Sequence, residues 1–170
     1  DGERFAVGDT SGKVWIGAND GLEPVLLGDR TNWGGNTCSA TFSLDGRYLA
    51  FMTACAYPSS AVFRVWDFES NNEIATLHLP GEEFRFGSRF SNDGRLLTSS
   101  TAGIVAWDVT TGRHELLVEG GVRDFTSSDD GRRILYTEDG EGGISQNPAG
   151  SSIFVDLDSA LVGRKPDADP

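Results

Sequence analysis

Two cysteines, two histidines, one methionine and six prolines are all that this 170-residue chain holds of those types, and each shortage excludes something. Cys38 and Cys55 are too few for a disulfide framework and lack the C-x-x-C spacing of zinc or redox sites, so they read as reduced, structural residues. A bridge between them would join neighbouring strands of one hairpin a few residues out of register. The chain has no run of roughly 18 to 20 apolar residues, and its amino terminus, DGERFAV, lacks the basic-then-apolar order of a signal peptide. Asp1-Gly2 reads as the middle of a repeat, so further sequence upstream is expected. Positive charge is also scarce: 14 Lys and Arg stand against 26 Asp and Glu, for a net charge of −12. Such a surface repels phosphate backbones and anionic membranes, and neither nucleic acid nor membrane is an expected partner. No cofactor is expected.

Long amphipathic helical patterns are missing as well, while 22 glycines punctuate short apolar runs, which points to an all-β chain. The stretch from Phe42 to Asp67, FSLDGRYLAFMTACAYPSSAVFRVWD, is a turn, a strand, a loop and a second strand. The rest of the chain repeats it. Asp-Gly followed by a strand occurs at Asp1-Gly2, Asp45-Gly46, Asp93-Gly94 and Asp130-Gly131, at intervals of 44, 48 and 37 residues. Behind each pair a large apolar residue, Phe5, Leu49, Leu97 or Ile134, is expected to face a core. A second strand follows, ending in VWI, VWD, AWD or FVD, so Trp15, Trp66 and Trp107 are the expected buried repeat anchors, with Val155 in the fourth place. Further strands are expected in LEPVLLG, EIATLHL and RHELLVE, and before Ser43, Ser91 and Ser128. Four short strands in about 40 to 45 residues is the period of propeller blades.

FSLDGRYLAF, FRVWD, FSNDGRLLTSS and IVAWDVTTG together resemble the WD-repeat β-propellers, and the resemblance covers nearly the whole chain. It departs from the family where LLGDRTNWGG, LPGEEF and VEGG stand in place of the Gly-His pair. The family's buried Asp has a counterpart only in Asp9 or Asp139, so these blades are expected to depend on apolar stacking. The apolar-Ser-x-Asp-Gly turn is shared with TolB-like propellers and with propeller domains of some serine peptidases. The expected blades are approximately 1–27, 36–79, 85–118 and 121–163, followed by a polar tail at 164–170. That amounts to about three and a half blades, and closed propellers have four to eight. The chain is therefore expected to be part of a larger ring whose other blades come from sequence outside it or from another chain.

Catalytic chemistry has few candidates. His78 and His114 fall in expected outermost strands, no G-x-S-x-G elbow is present, and the carboxylates at Glu138, Asp139, Glu141, Asp156 and Asp158 lack the order of a calcium loop. Loop length is more informative. From the Gly of Asp-Gly to the anchor is 13 residues in the first and third repeats, 20 in the second and 24 in the fourth. The surplus is expected between second and third strands, around Tyr57 and from Glu138 to Ser151. The first interval between blades carries a surplus at GDRTNWGG. In a propeller these connections open on one rim, so Arg30, Trp33 and Tyr57 are expected to share a face, and Trp, Tyr and Arg are the types enriched at interface hot spots.

The expected function is a non-catalytic scaffold or sensor that binds a protein or peptide on that rim. The WD-repeat resemblance implies a place in a larger signalling or regulatory protein, with a cytoplasmic location. The alternatives are a TolB-like periplasmic propeller and a substrate-gating propeller of a peptidase.

Overall fold

The computed structural model describes residues 3–27, 37, 39–53, 62–78, 84–100, 102–138 and 152–157. These form fourteen strands in four antiparallel sheets. The first sheet holds β1 (Arg4–Gly8), β2 (Val14–Ala18) and β3 (Val25–Leu26). The second holds β4 (Ser39–Phe42), β5 (Tyr48–Thr53), β6 (Val62–Asp67) and β7 (Asn72–His78). The third holds β8 (Phe84–Phe90), β9 (Leu96–Ser100), β10 (Gly103–Trp107) and β11 (His114–Glu119). The fourth holds β12 (Val122–Ser127), β13 (Arg133–Glu138) and β14 (Ser152–Asp156). Within each sheet the strands follow one another in chain order, as a meander. β4, β8 and β12 lie side by side, and Ser39 Oγ and Ser88 Oγ, 2.7 Å apart, tie the first two together. No helical element occurs among the described residues.

The alternation of side chains along each strand gives every middle sheet two apolar faces, and the core is what lies between sheets. Leu49, Phe51 and Trp66 on one face of the second sheet pack against Val14, Ile16 and Ala6 of the first. Ala50, Met52, Phe63 and Val65 on its other face meet Leu96, Val105 and Trp107 of the third. Leu97, Ile104 and Ala106 then meet Phe125, Ile134 and Tyr136 of the fourth. Fully burying one such Leu or Phe is worth roughly 1.5 to 3 kcal/mol.

The Asp-Gly turns have the geometry the motif requires. Ser43 Oγ donates to Asp45 Oδ1 at 2.6 Å, Arg47 N–H donates to the same oxygen at 3.0 Å, and Gly46 takes φ 71° to close the turn. Gly94 and Gly131 adopt the same left-handed conformation, at φ 81° and 66°, which costs a residue with a Cβ about 1–2 kcal/mol. The Ser43 hydroxyl and the Arg47 N–H hold the Asp45 carboxyl below its ordinary value, and Ser128 and Arg132 do the same for Asp130. In the DVTTG turn the Thr110 hydroxyl and N–H, with Thr111, bring Asp108 to about 2. Asp1-Gly2 lies outside the described residues.

The strand register corrects the sequence alignment twice. Leu49 pairs with Trp66 and Ile134 with Val155, but Trp107 pairs with Leu96, not Leu97. The reason is a tighter turn: Ser91 N–H reaches the carbonyl four residues on, whereas Ser43 and Ser128 reach the fifth. Leu97 is buried as expected, though on the opposite face of its sheet. In the first sheet Phe5 pairs with Gly17 and Trp15 with Val7. The anchor place there belongs to Gly17, and Trp15 is not a buried anchor: it remains 37% exposed, against 7% for Trp66 and 2% for Trp107. Phe5, expected in a core, is 42% exposed. Its ring lies over Gly17, where an added Cβ would come within 2.1 Å of the ring. Phe5 thus occupies the space above the anchor place from the outer side.

Candidate interaction surfaces

The two rims of the sheet stack are chemically different. On one rim the Asp-Gly turns sit beside each other: Arg4 of the first sheet donates to Gly46 O of the second, and Asn92 N–H donates to Gly131 O at 3.0 Å between the third and fourth. The Arg4 guanidinium also lies over the rings of Phe68 and Phe42, 4.5 and 5.5 Å from their centres, a cation–π arrangement that joins the first two sheets. The connections between β2 and β3 and between β6 and β7 belong to this rim, since Asn19 N–H bonds Glu3 O and Phe68 N–H bonds Arg47 O.

The strands that bound the long connections end toward the opposite rim. The surplus residues fall where spacing put them: between β3 and β4, between β5 and β6, and between β13 and β14. Arg30, Trp33, Tyr57 and the 139–151 stretch lie outside the described residues, as do both cysteines and Asp139. Asp9, the other counterpart of the family's buried Asp, caps its own β1–β2 turn. It accepts Ser11 Oγ, Ser11 N–H and Lys13 N–H at 2.7 to 2.9 Å, and these bonds, led by the Ser11 hydroxyl, lower its pKa.

His78 and His114 lie on β7 and β11, the outermost strands of their sheets. The His114 ring sits 4.5 Å from that of Trp107, a packing contact at the sheet margin. No group of three or more His, Cys, Asp or Glu is placed to hold a metal among the described residues.

An open apolar surface among the described residues is the outer face of the first sheet. Phe5, Val7 and Trp15 alternate along paired strands and are all exposed, and among the described residues the first sheet makes its extensive contacts with the second alone. In the second sheet the equivalent face, Leu49, Phe51 and Trp66, is covered. We expect the chain to bind a hydrophobic dye through this face, and to bind more of it as salt screens the −12 charge. Val7→Thr with Trp15→Gln should remove most of that signal. Dye binding that is absent at every salt concentration, or unchanged in the double variant, counts against this face as an apolar contact surface.

No protein-family model matches the chain, and no curated protein matches it in sequence. Solved structures do. The β-propeller domain of Cps50 (Swd1) from Myceliophteria thermophila aligns at 14% identity and a TM-score of 0.60, covering 80% of this chain and 45% of that one. A putative TolB from Agrobacterium tumefaciens aligns at 16% identity and a TM-score of 0.62, covering 85% and 53%. At this identity the likeness concerns fold. The chain spans about half the length of each, and its four stacked meander sheets form part of a β-propeller.

Proposed function

We propose that the chain is a non-catalytic propeller module that holds a protein or peptide, as part of a larger signalling or regulatory protein in the cytoplasm, with its contact rim at Arg30, Trp33 and Tyr57. The observation that carries the protein-binding role is the propeller architecture, four stacked meander sheets that align with solved propellers. Phe5, Val7 and Trp15, exposed on the outer face of the first sheet, occupy the side on which the second sheet meets its neighbour. The long connections, bounded by strands that end toward one rim, support the choice of contact site. A TolB-like periplasmic module is the second reading, favoured by the likeness to the putative TolB and by the Ser-x-Asp-Gly turns.

Peptides selected from a displayed library against the chain test the rim. Trp33→Ala and Tyr57→Ala should each weaken such peptides about tenfold or more, as aromatic hot spots do, with the denaturation midpoint unmoved. Selected peptides indifferent to Arg30, Trp33 and Tyr57 would remove the rim from the function. Turnover of an ester, peptide or phosphate substrate that disappears in a folded His78→Ala or His114→Ala chain would replace binding by catalysis.

A further inference from the structure

Between the first and second sheets, on the rim of the Asp-Gly turns, lies a cavity of about 580 Å³. Ile16, Ala18 and Leu27 line it from the first sheet, and Trp66 and Phe68 from the second. It is open on the first-sheet side because the first repeat lacks a side chain that the second has. The second sheet ends β6 in Asp67, which Arg47 clasps through two bonds of 3.1 Å. The equivalent place in the first sheet is Ala18, on the face that Val14 and Ile16 turn to the second sheet.

Trp66 walls this cavity with its ring. Its counterpart Trp107 donates its indole N–H to Thr98 Oγ1 at 2.9 Å. The register puts Phe51 at the place of Thr98 in the second sheet, and there the Trp66 Nε1 is buried with no hydrogen-bond partner among the described residues. A buried donor left unpaired is costly, so Trp66 is held less favourably in the second sheet than Trp107 is in the third. The mouth is amphiphilic: Leu22 and Val25, 73% and 69% exposed, stand beside Asp20 and Glu23. Val25 also belongs to β3, the two-residue outer edge of its sheet, and such edges accept extended chains.

We propose that this cavity receives a large apolar side chain from an extended segment of a partner protein. That side chain packs on the Trp66 ring, and a neighbouring Lys or Arg meets Asp20 and Glu23. The volume falls in the range of sites that enclose ligand groups. Arg4 at the cavity is held by Gly46 O and two aromatic rings, and Asp20 and Glu23 outnumber it, so the mouth is acidic on balance. The proposal rests on the reading of the chain as a protein-binding module, but it uses the rim of the Asp-Gly turns and none of Arg30, Trp33 and Tyr57.

The test follows the indole N–H resonances of the intact chain by NMR, with Trp66→Phe identifying the Trp66 signal. The probes are N-acetyl-Leu-Lys-amide and N-acetyl-Leu-Glu-amide. Saturable movement of the Trp66 signal is expected, with the Trp107 signal still and the Lys probe binding several-fold tighter. Ala18→Leu should fill the cavity and abolish the movement while the other indole signals stay in place. Asp20→Asn with Glu23→Gln should erase the preference for Lys. No saturable movement with either probe, or an unchanged titration in a folded Ala18→Leu chain, overturns the site. Movement that survives Trp33→Ala and Tyr57→Ala supports the cavity independently of the rim, so a failed rim experiment leaves this one standing.

Discussion

Trp107→Ala is expected to cost the chain about 3–5 kcal/mol, and Trp15→Ala about 1 kcal/mol or less. The two residues look equivalent in the sequence, each closing a second strand with Val or Ala before it. Their surroundings differ. Trp107 is walled in by Leu96, Val105, Phe63 and Val65 between the second and third sheets, and its removal also strips Thr98 Oγ1 of its donor. A buried cavity and a broken hydrogen bond add in the same direction. Trp15 lies on the outer face of the first sheet, paired with the exposed Val7, and its truncation leaves nothing buried unsupported. Urea unfolding of the two variants beside the parent measures the contrast. Equal losses would mean that the first sheet is packed like the third and that its outer face is not open.

Gly103→Ala is expected to be comparably severe, about 3–5 kcal/mol, while Gly94→Ala costs about 1–2 kcal/mol. Both glycines have positive φ, 134° and 81°, so both substitutions strain the backbone. Only at Gly103 is there also no room. A Cβ there would stand 1.8 Å from the Val118 carbonyl oxygen and 2.9 Å from its carbon, whereas around Gly94 nothing lies within 4 Å. The obstacle at Gly103 is backbone of the neighbouring β11, held by pairing to β10 through Val118 and Glu119, and it cannot rotate away as a side chain does. Thermal or denaturant unfolding of the pair decides the matter. A Gly103→Ala chain as stable as Gly94→Ala would show that β10 and β11 separate locally at small cost.

What the sequence determined by itself was periodic and local. Asp-Gly after Ser, followed by alternating apolar residues, is a signal carried by neighbours in the chain, so the turns at Asp45-Gly46, Asp93-Gly94 and Asp130-Gly131 and the strands behind them were legible. The length of the connections was legible too, since the strands that bound them must align. What the sequence did not determine was the state of one repeat relative to the next. The turn before β9 is one residue tighter than its equivalents, and a strand's side-chain period of two turns that single residue into an exchange of faces for Leu96 and Leu97. Trp15 matches an anchor by spelling, but Gly17 holds the place in the ladder. The cavity beside Trp66 depends on absences, with Ala18 where another repeat has Asp67 and Phe51 where another has Thr98. Absence acquires a meaning only when two sheets are packed face to face and the space between them is left unfilled.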